Sequence, residues 1–133
     1  EGELNQILAL RKPCICVNAD RKSHTCGHTQ MVLRAGSIAE YIKSHGGKVE
    51  YFGKPDKRLF NLALRDIDAP QEQILMVGDA LETDILGGIN AGIKTALVNT
   101  GVSRYDMEPT SIDSMGEYMH HRGIITDHVL DHF

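Results

Sequence analysis

Four short strand-like runs, Cys14–Val17, Val49–Phe52, Ile74–Val77 and Lys94–Val98, alternate with stretches whose apolar residues recur at helical spacing. That alternation specifies βαβ units, hence a parallel sheet with helices on its faces. Ala35, Ile38, Ala39 and Ile42 form the apolar stripe of one helix, which Gly46-Gly47 stops. Phe60, Ala63, Leu64 and Ile67 form a second, with Pro55 at its first position, and Ile85, Leu86 and Ile89 a third that stops at Gly92. A further helix around Ser114–His121 and a strand near His128–Leu130 complete the order, while the polar stretch from Asn18 to His28 reads as a loop. Cys14–Val17 is apolar on both faces, as expected of a parallel strand covered by helices on both sides. Leu4, Ile7 and Leu8 already follow helical spacing, and the chain opens at Glu1 without a Met. The expectation is that the sequence continues an element of a longer protein.

Composition narrows the class of function. The 133 residues are the size of one ordinary domain, and 41% hydrophobic with 24% charged residues is ordinary for a folded protein. Apolar runs of four or five residues fall far below the roughly 20 that a membrane helix needs. With 14 basic against 18 acidic residues, a net charge of −4 and no basic stripe, binding to nucleic acid by bulk charge is not expected. A small anionic substrate held by one or two local cations remains compatible. The odd count of three cysteines argues against a disulfide framework. Cys14 and Cys16 share one face of a strand and fit burial in a reducing cytoplasm. Joining them to His24, Cys26 and His28 gives a zinc set whose spacing is unlike known structural sites.

Right-handed crossovers bring the carboxyl ends of parallel strands to one edge, where such sheets bind ligands. The strand ends read Asn18-Ala19-Asp20, Gly53-Lys54, Gly78-Asp79 and Asn99-Thr100-Gly101. Asp79 directly follows a hydrophobic strand, and Asp84 lies five residues on, at the start of the next helix. Two hard oxygen groups at one point suit Mg²⁺, which takes one or two carboxylates and keeps several waters. The same residues also read as a turn at Gly78-Asp79, a cap at Thr83 and a dipole-complementing Asp84. Lys54, flanked by Gly53 and Pro55, is directed toward Asp79 from the preceding strand of the same sheet. A cation beside a metal site is what a phosphoryl group requires, because catalysis there is mainly positioning and charge stabilisation.

Phe52-Gly53-Lys54-Pro55 followed by Gly78-Asp79 and Thr83-Asp84 resembles the third and fourth motifs of the haloacid dehalogenase (HAD) superfamily of phosphatases. The resemblance runs on through Gly87-Gly88-Ile89-Asn90-Ala91-Gly92-Ile93 to Val98-Asn99-Thr100-Gly101, spanning roughly residues 14–104. Val17-Asn18-Ala19-Asp20 resembles the Asn-Pro-Asp signature near the end of the cap in the class IIA branch, which includes NagD-like and p-nitrophenyl phosphatase-like enzymes. Ala35–Glu40 fits the helix leading into the third motif. The resemblance implies an α/β fold, a HAD-like Rossmannoid parallel sheet with flanking helices, of which this chain holds the C-terminal half of the core and the end of the cap. Residues 1–50 would be cap and cap-to-core connection, and 51–133 core. It implies hydrolysis of a small phosphate monoester through an aspartyl-phosphate with Mg²⁺ as cofactor. Asp79 would be a metal ligand, and Asp84 would join the metal site by orienting the water shell and Lys54. Lys54 would bind the phosphoryl oxygens, while Asn18 and Asp20 would shape the substrate site.

The sequence departs from the family in two ways. Ala19 replaces the signature proline, which alters the loop expected there. The family's nucleophile motif, Asp-x-Asp-x-Thr/Val after a strand, has no counterpart: Asp66-Ile67-Asp68 precedes Ala69-Pro70 at a helix end. A Ser/Thr equivalent to the second motif is also missing. The chain alone is therefore expected to be inactive. The alternative is a non-catalytic α/β binding or interaction module that keeps Mg²⁺ or phosphate affinity; a receiver-type fold lacks its acidic pair at matching positions. Half of a doubly wound sheet leaves an open edge, so a homo-oligomer or other self-association is expected. His120, His121, His128 and His132 read as surface or interface residues, because adjacent helical histidines point apart.

Overall fold

The computed structural model describes residues 2–24, 31–103 and 112–131. They divide into two compact units, Glu1–Gly53 and Lys54–Phe133.

The first unit runs α1 (Gly2–Ala9), β1 (Cys14–Cys16), β2 (Lys22–His24), β3 (Met31–Leu33), α2 (Ala35–Ser44) and β4 (Val49–Tyr51). β1 and β4 pair in parallel, with Cys14 opposite Val49 and Cys16 opposite Tyr51. α2 packs on both strands and buries Ala39 and Ile42, whereas Ile38 is 48% exposed. β1 is covered on one face only: Cys16 is buried, but Ile15 is 66% exposed. Among the described residues the expected two-sided cover is not seen: α2 packs on the strand with Cys16 buried, and the Ile15 face stays exposed. The expected loop after Asp20 contains a hairpin instead, with β2 and β3 antiparallel and Lys22 opposite Leu33. Lys22-Ser23-His24 carries no apolar alternation, so its pairing left no hydrophobic signal in the sequence. Cys26 and His28 lie outside the described residues.

The second unit runs α3 (Lys57–Leu64), β5 (Leu75–Gly78), α4 (Leu86–Ala91), β6 (Lys94–Val98), α5 (Ile112–Arg122) and β7 (His128–Leu130). β5, β6 and β7 form a parallel three-stranded sheet in that order. β4 pairs with β1 and β5 with β6, so Gly53-Lys54 does not follow a strand of the same ladder as Asp79, contrary to expectation. The α3 start is also shifted. Asp56 is the cap, its carboxylate accepting the Arg58 N–H at 2.8 Å, and the helix begins at Lys57 rather than Pro55. Phe60 of α3 is buried with Ala91 and Ile93, but Ile67 is 47% exposed.

A five-residue π-type turn, Leu81–Ile85, joins the sheet to α4. Leu81, Ile85 and Leu97 form a core with Met115 and Met119 of α5. Ile85 points inward as expected, whereas Ile89 is 40% exposed. The inward side of α4 is made by Gly87, Gly88 and Ala91, whose small side chains let the helix lie close. Gly92 closes α4 in the left-handed region at φ 74°, where glycine carries no Cβ penalty. In β5, Leu75 is 46% and Val77 37% exposed, so that face of the edge strand is open.

Candidate active site

β5 ends at Gly78, and the chain turns there through Asp79 and Ala80 into the Leu81–Ile85 turn. Asp84 folds back from that turn to the strand end. Its Oδ2 accepts the N–H groups of Asp79 and Ala80, each at 3.2 Å. Its Oδ1 accepts Lys54 Nζ at 2.5 Å. Asp84 is 4% exposed, so its charge lies in a poorly hydrated place and is compensated by the lysine and the two amides. Gly78 makes this possible: a Cβ there would stand 2.3–2.4 Å from the Asp84 side chain.

Asp79 is held by a different segment. Its Oδ2 accepts the Val102 N–H at 2.8 Å, and its carbonyl accepts the Ser103 N–H at 3.0 Å. Ser103 is buried, and its hydroxyl accepts the Leu81 N–H at 2.8 Å. A Cβ on Gly101 would fall 2.0 Å from Asp79 Oδ2, so glycine is required beside the carboxylate. Gly101 belonged to the sequence motif, but the Val102 and Ser103 contacts were missed, and Gly101 was the available signal for them.

Asp79, Asp84 and Lys54 are thus brought together. Thr83 is not the expected cap: Ala80 occupies the cap position, and Thr83 Oγ1 is buried without a partner among the described residues. Asn18 and Asp20 belong to the first unit, where Asn18 Oδ1 accepts the Asp20 N–H at 2.8 Å in a side-chain turn. Asp66 is exposed and pairs with Arg65. His120, His121 and His128 are exposed, and His132 lies outside the described residues. Among the described residues no three His, Cys, Asp or Glu side chains gather to hold a metal.

The donor set nevertheless suits Mg²⁺ in one respect. Asp79 Oδ1 has no protein partner among the described residues, whereas both Asp84 oxygens are already engaged. One carboxylate oxygen is enough for an ion that keeps most of its waters. The fit is therefore through Asp79, with Asp84 behind it.

The fold and this strand-end group define a Rossmann-like α/β protein with a lysine-paired acidic corner at the carboxyl end of its sheet. The HAD-hydrolase-like family matches residues 51–131. Dihydroxyacetone phosphatase of Corynebacterium glutamicum is 33% identical over 105 residues, covering 74% of this chain and 38% of that protein. Ribonucleotide monophosphatase NagD of Escherichia coli is 45% identical over 73 residues, 55% of this chain and 28% of that one. A HAD-superfamily structure from Cytophaga hutchinsonii, described as a possible sugar phosphatase, superposes with a TM-score of 0.79 at 34% identity. That match covers 98% of this chain and 46% of the other. The chain belongs to the HAD-hydrolase-like family, in its class IIA branch. It spans well under half the length of these two phosphatases.

Proposed function

We propose that this chain contributes the acidic corner of a Mg²⁺-dependent phosphatase acting on small phosphate monoesters, sugar phosphates or nucleotides. The observation that carries this reading is the relay Lys54–Asp84–Asp79, in which a buried carboxylate fixes a half-exposed lysine and the loop bearing a second carboxylate. The phosphatase relatives support the substrate class.

Lys54 would bind the phosphoryl oxygens, and Asp84 holds its ammonium in place. Asp79 would offer its free oxygen to Mg²⁺, which when bound would neutralise phosphoryl charge. Asn18 and Asp20 would help to shape the substrate site; residues 1–50 would be a cap-related segment and 51–133 a core segment. The nucleophile is a carboxylate supplied from outside these residues. It would attack phosphorus, the ester P–O bond would break, and the alcohol would leave with a proton. Water would then cleave the acyl phosphate, returning the carboxylate and inorganic phosphate. The 133-residue chain alone would then be inactive. We assign the protein to the cytoplasm and expect the isolated chain to self-associate through β5.

Phosphate release from sugar phosphates and nucleotides tests this in the full-length protein. Mg²⁺-dependent turnover that falls by roughly 10²-fold in Lys54→Ala and Asp79→Asn is expected. Turnover by the 133-residue chain itself would refute the external nucleophile. Phosphate and Mg²⁺ binding without turnover in the full-length protein would favour a non-catalytic binding module.

A further inference from the structure

A cleft of about 610 Å³ opens within the first unit, between the end of α1 and the turn after α2. Its volume is that of a small-molecule site. Arg11, His45 and Lys48 line it together with Leu8, Gly46 and Gly47, and among the described residues no carboxylate does. Among the described residues neither Arg11 nor Lys48 has an ion-pair or hydrogen-bond partner for its side chain. Both residues are exposed to solvent, and they place two cations at one cleft in a chain whose net charge is −4.

The same cations lie near the carbonyl ends of α1 and α2, which they also complement. The Gly46 and Gly47 N–H groups are already donated to Lys43 O and Ile42 O, so a ligand would rely on the side chains. His45 is fixed as a wall: its ring stacks on Tyr41 with centroids 4.0 Å apart, and Nδ1 lies 2.8 Å from the Tyr41 carbonyl. Arg11 occupies the left-handed region at φ 51°, the conformation that commonly ends a helix, just after α1 and with its N–H donated to the Leu8 carbonyl at 3.1 Å.

We propose that this cleft binds a phosphorylated small molecule through Arg11 and Lys48, independently of the Lys54–Asp84–Asp79 group. The guanidinium provides planar paired donors and the lysine a point charge, a combination suited to phosphate oxygens.

The test is titration of the full-length protein with inorganic pyrophosphate, followed by calorimetry and by amide shifts at Gly46 and Gly47. A Lys54→Ala background removes the other phosphate seat. Saturable binding that weakens about tenfold in Arg11→Gly, and again in Lys48→Ala, is expected. Arg11→Gly relieves the backbone, so its thermal midpoint should hold or rise while affinity falls. Lys48→Arg should retain binding. Absence of saturable binding, unchanged affinity in both variants, or affinity lost only through Lys54→Ala would each overturn the proposal.

Discussion

Lys54 Nζ lies 2.5 Å from Asp84 Oδ1, while Asp84 Oδ2 accepts the two amides that shape the Asp79 loop. One buried carboxylate thus sets both a cation and the backbone beneath a second carboxylate. Asp84→Asn should lower stability by about 2 kcal/mol, because a charged acceptor shared by three donors is replaced by a neutral one. Urea unfolding reads the loss. A midpoint unchanged from wild type would mean that solvent supplies the lysine equally well.

Asp79→Asn keeps an oxygen able to accept the Val102 N–H but loses the carboxylate charge. The fold should therefore survive while Mg²⁺ affinity falls at least about tenfold. Calorimetric titration, or Mn²⁺ as a paramagnetic probe, measures this. Undiminished affinity would remove Asp79 from the metal site.

Gly101→Ala would drive a Cβ to within 2.0 Å of Asp79 Oδ2. The expected result is a destabilisation of about 1–3 kcal/mol with Mg²⁺ affinity lost as well, since the carboxylate must move. Gly116→Ala is the control, because nothing lies within 4 Å of a Cβ there.

Asp127 titrates below the ordinary carboxylate value, chiefly because its carboxylate accepts the Thr95 N–H, helped by the Thr95 hydroxyl. The unfolded chain therefore takes up this proton first as pH falls. The stabilisation is complete above the unfolded value of 3.8 and is lost as pH drops through the lower folded one. The attachment of β7 to β6 should loosen on that acid side. Asp127→Asn should flatten the pH dependence of the unfolding midpoint in this range, and a parallel slope in the variant would exclude the residue.

Leu75 and Val77 leave one face of the β5 edge uncovered. The isolated chain should associate with rising concentration, and Val77→Lys should suppress this by placing a charge on the edge. Light scattering decides. A monomer at all concentrations would refute the expectation.

Much of the fold was legible in the residues. β5, β6 and β7 and the helices between them followed from periodicity, and Lys54, Asp79 and Asp84 from their places at strand and helix ends. The β2–β3 hairpin was not, because its polar residues pair through backbone groups that leave no hydrophobic pattern. The exposure of Ile89 was hidden for a different reason. Helical spacing allowed either an isoleucine face or a glycine–alanine face to turn inward, and close packing against the sheet selects the smaller residues.

The sequence by itself determined the order of elements and the chemical kinds of group at the end of β5, since both depend on residues near one another in the chain. Only the tertiary structure decided that β4 pairs with β1 rather than joining the β5 sheet. It also decided that both Asp84 oxygens are engaged and that Val102 and Ser103 hold Asp79. Hydrogen-bond partners and burial are set by residues distant in the chain, which spacing along it does not encode.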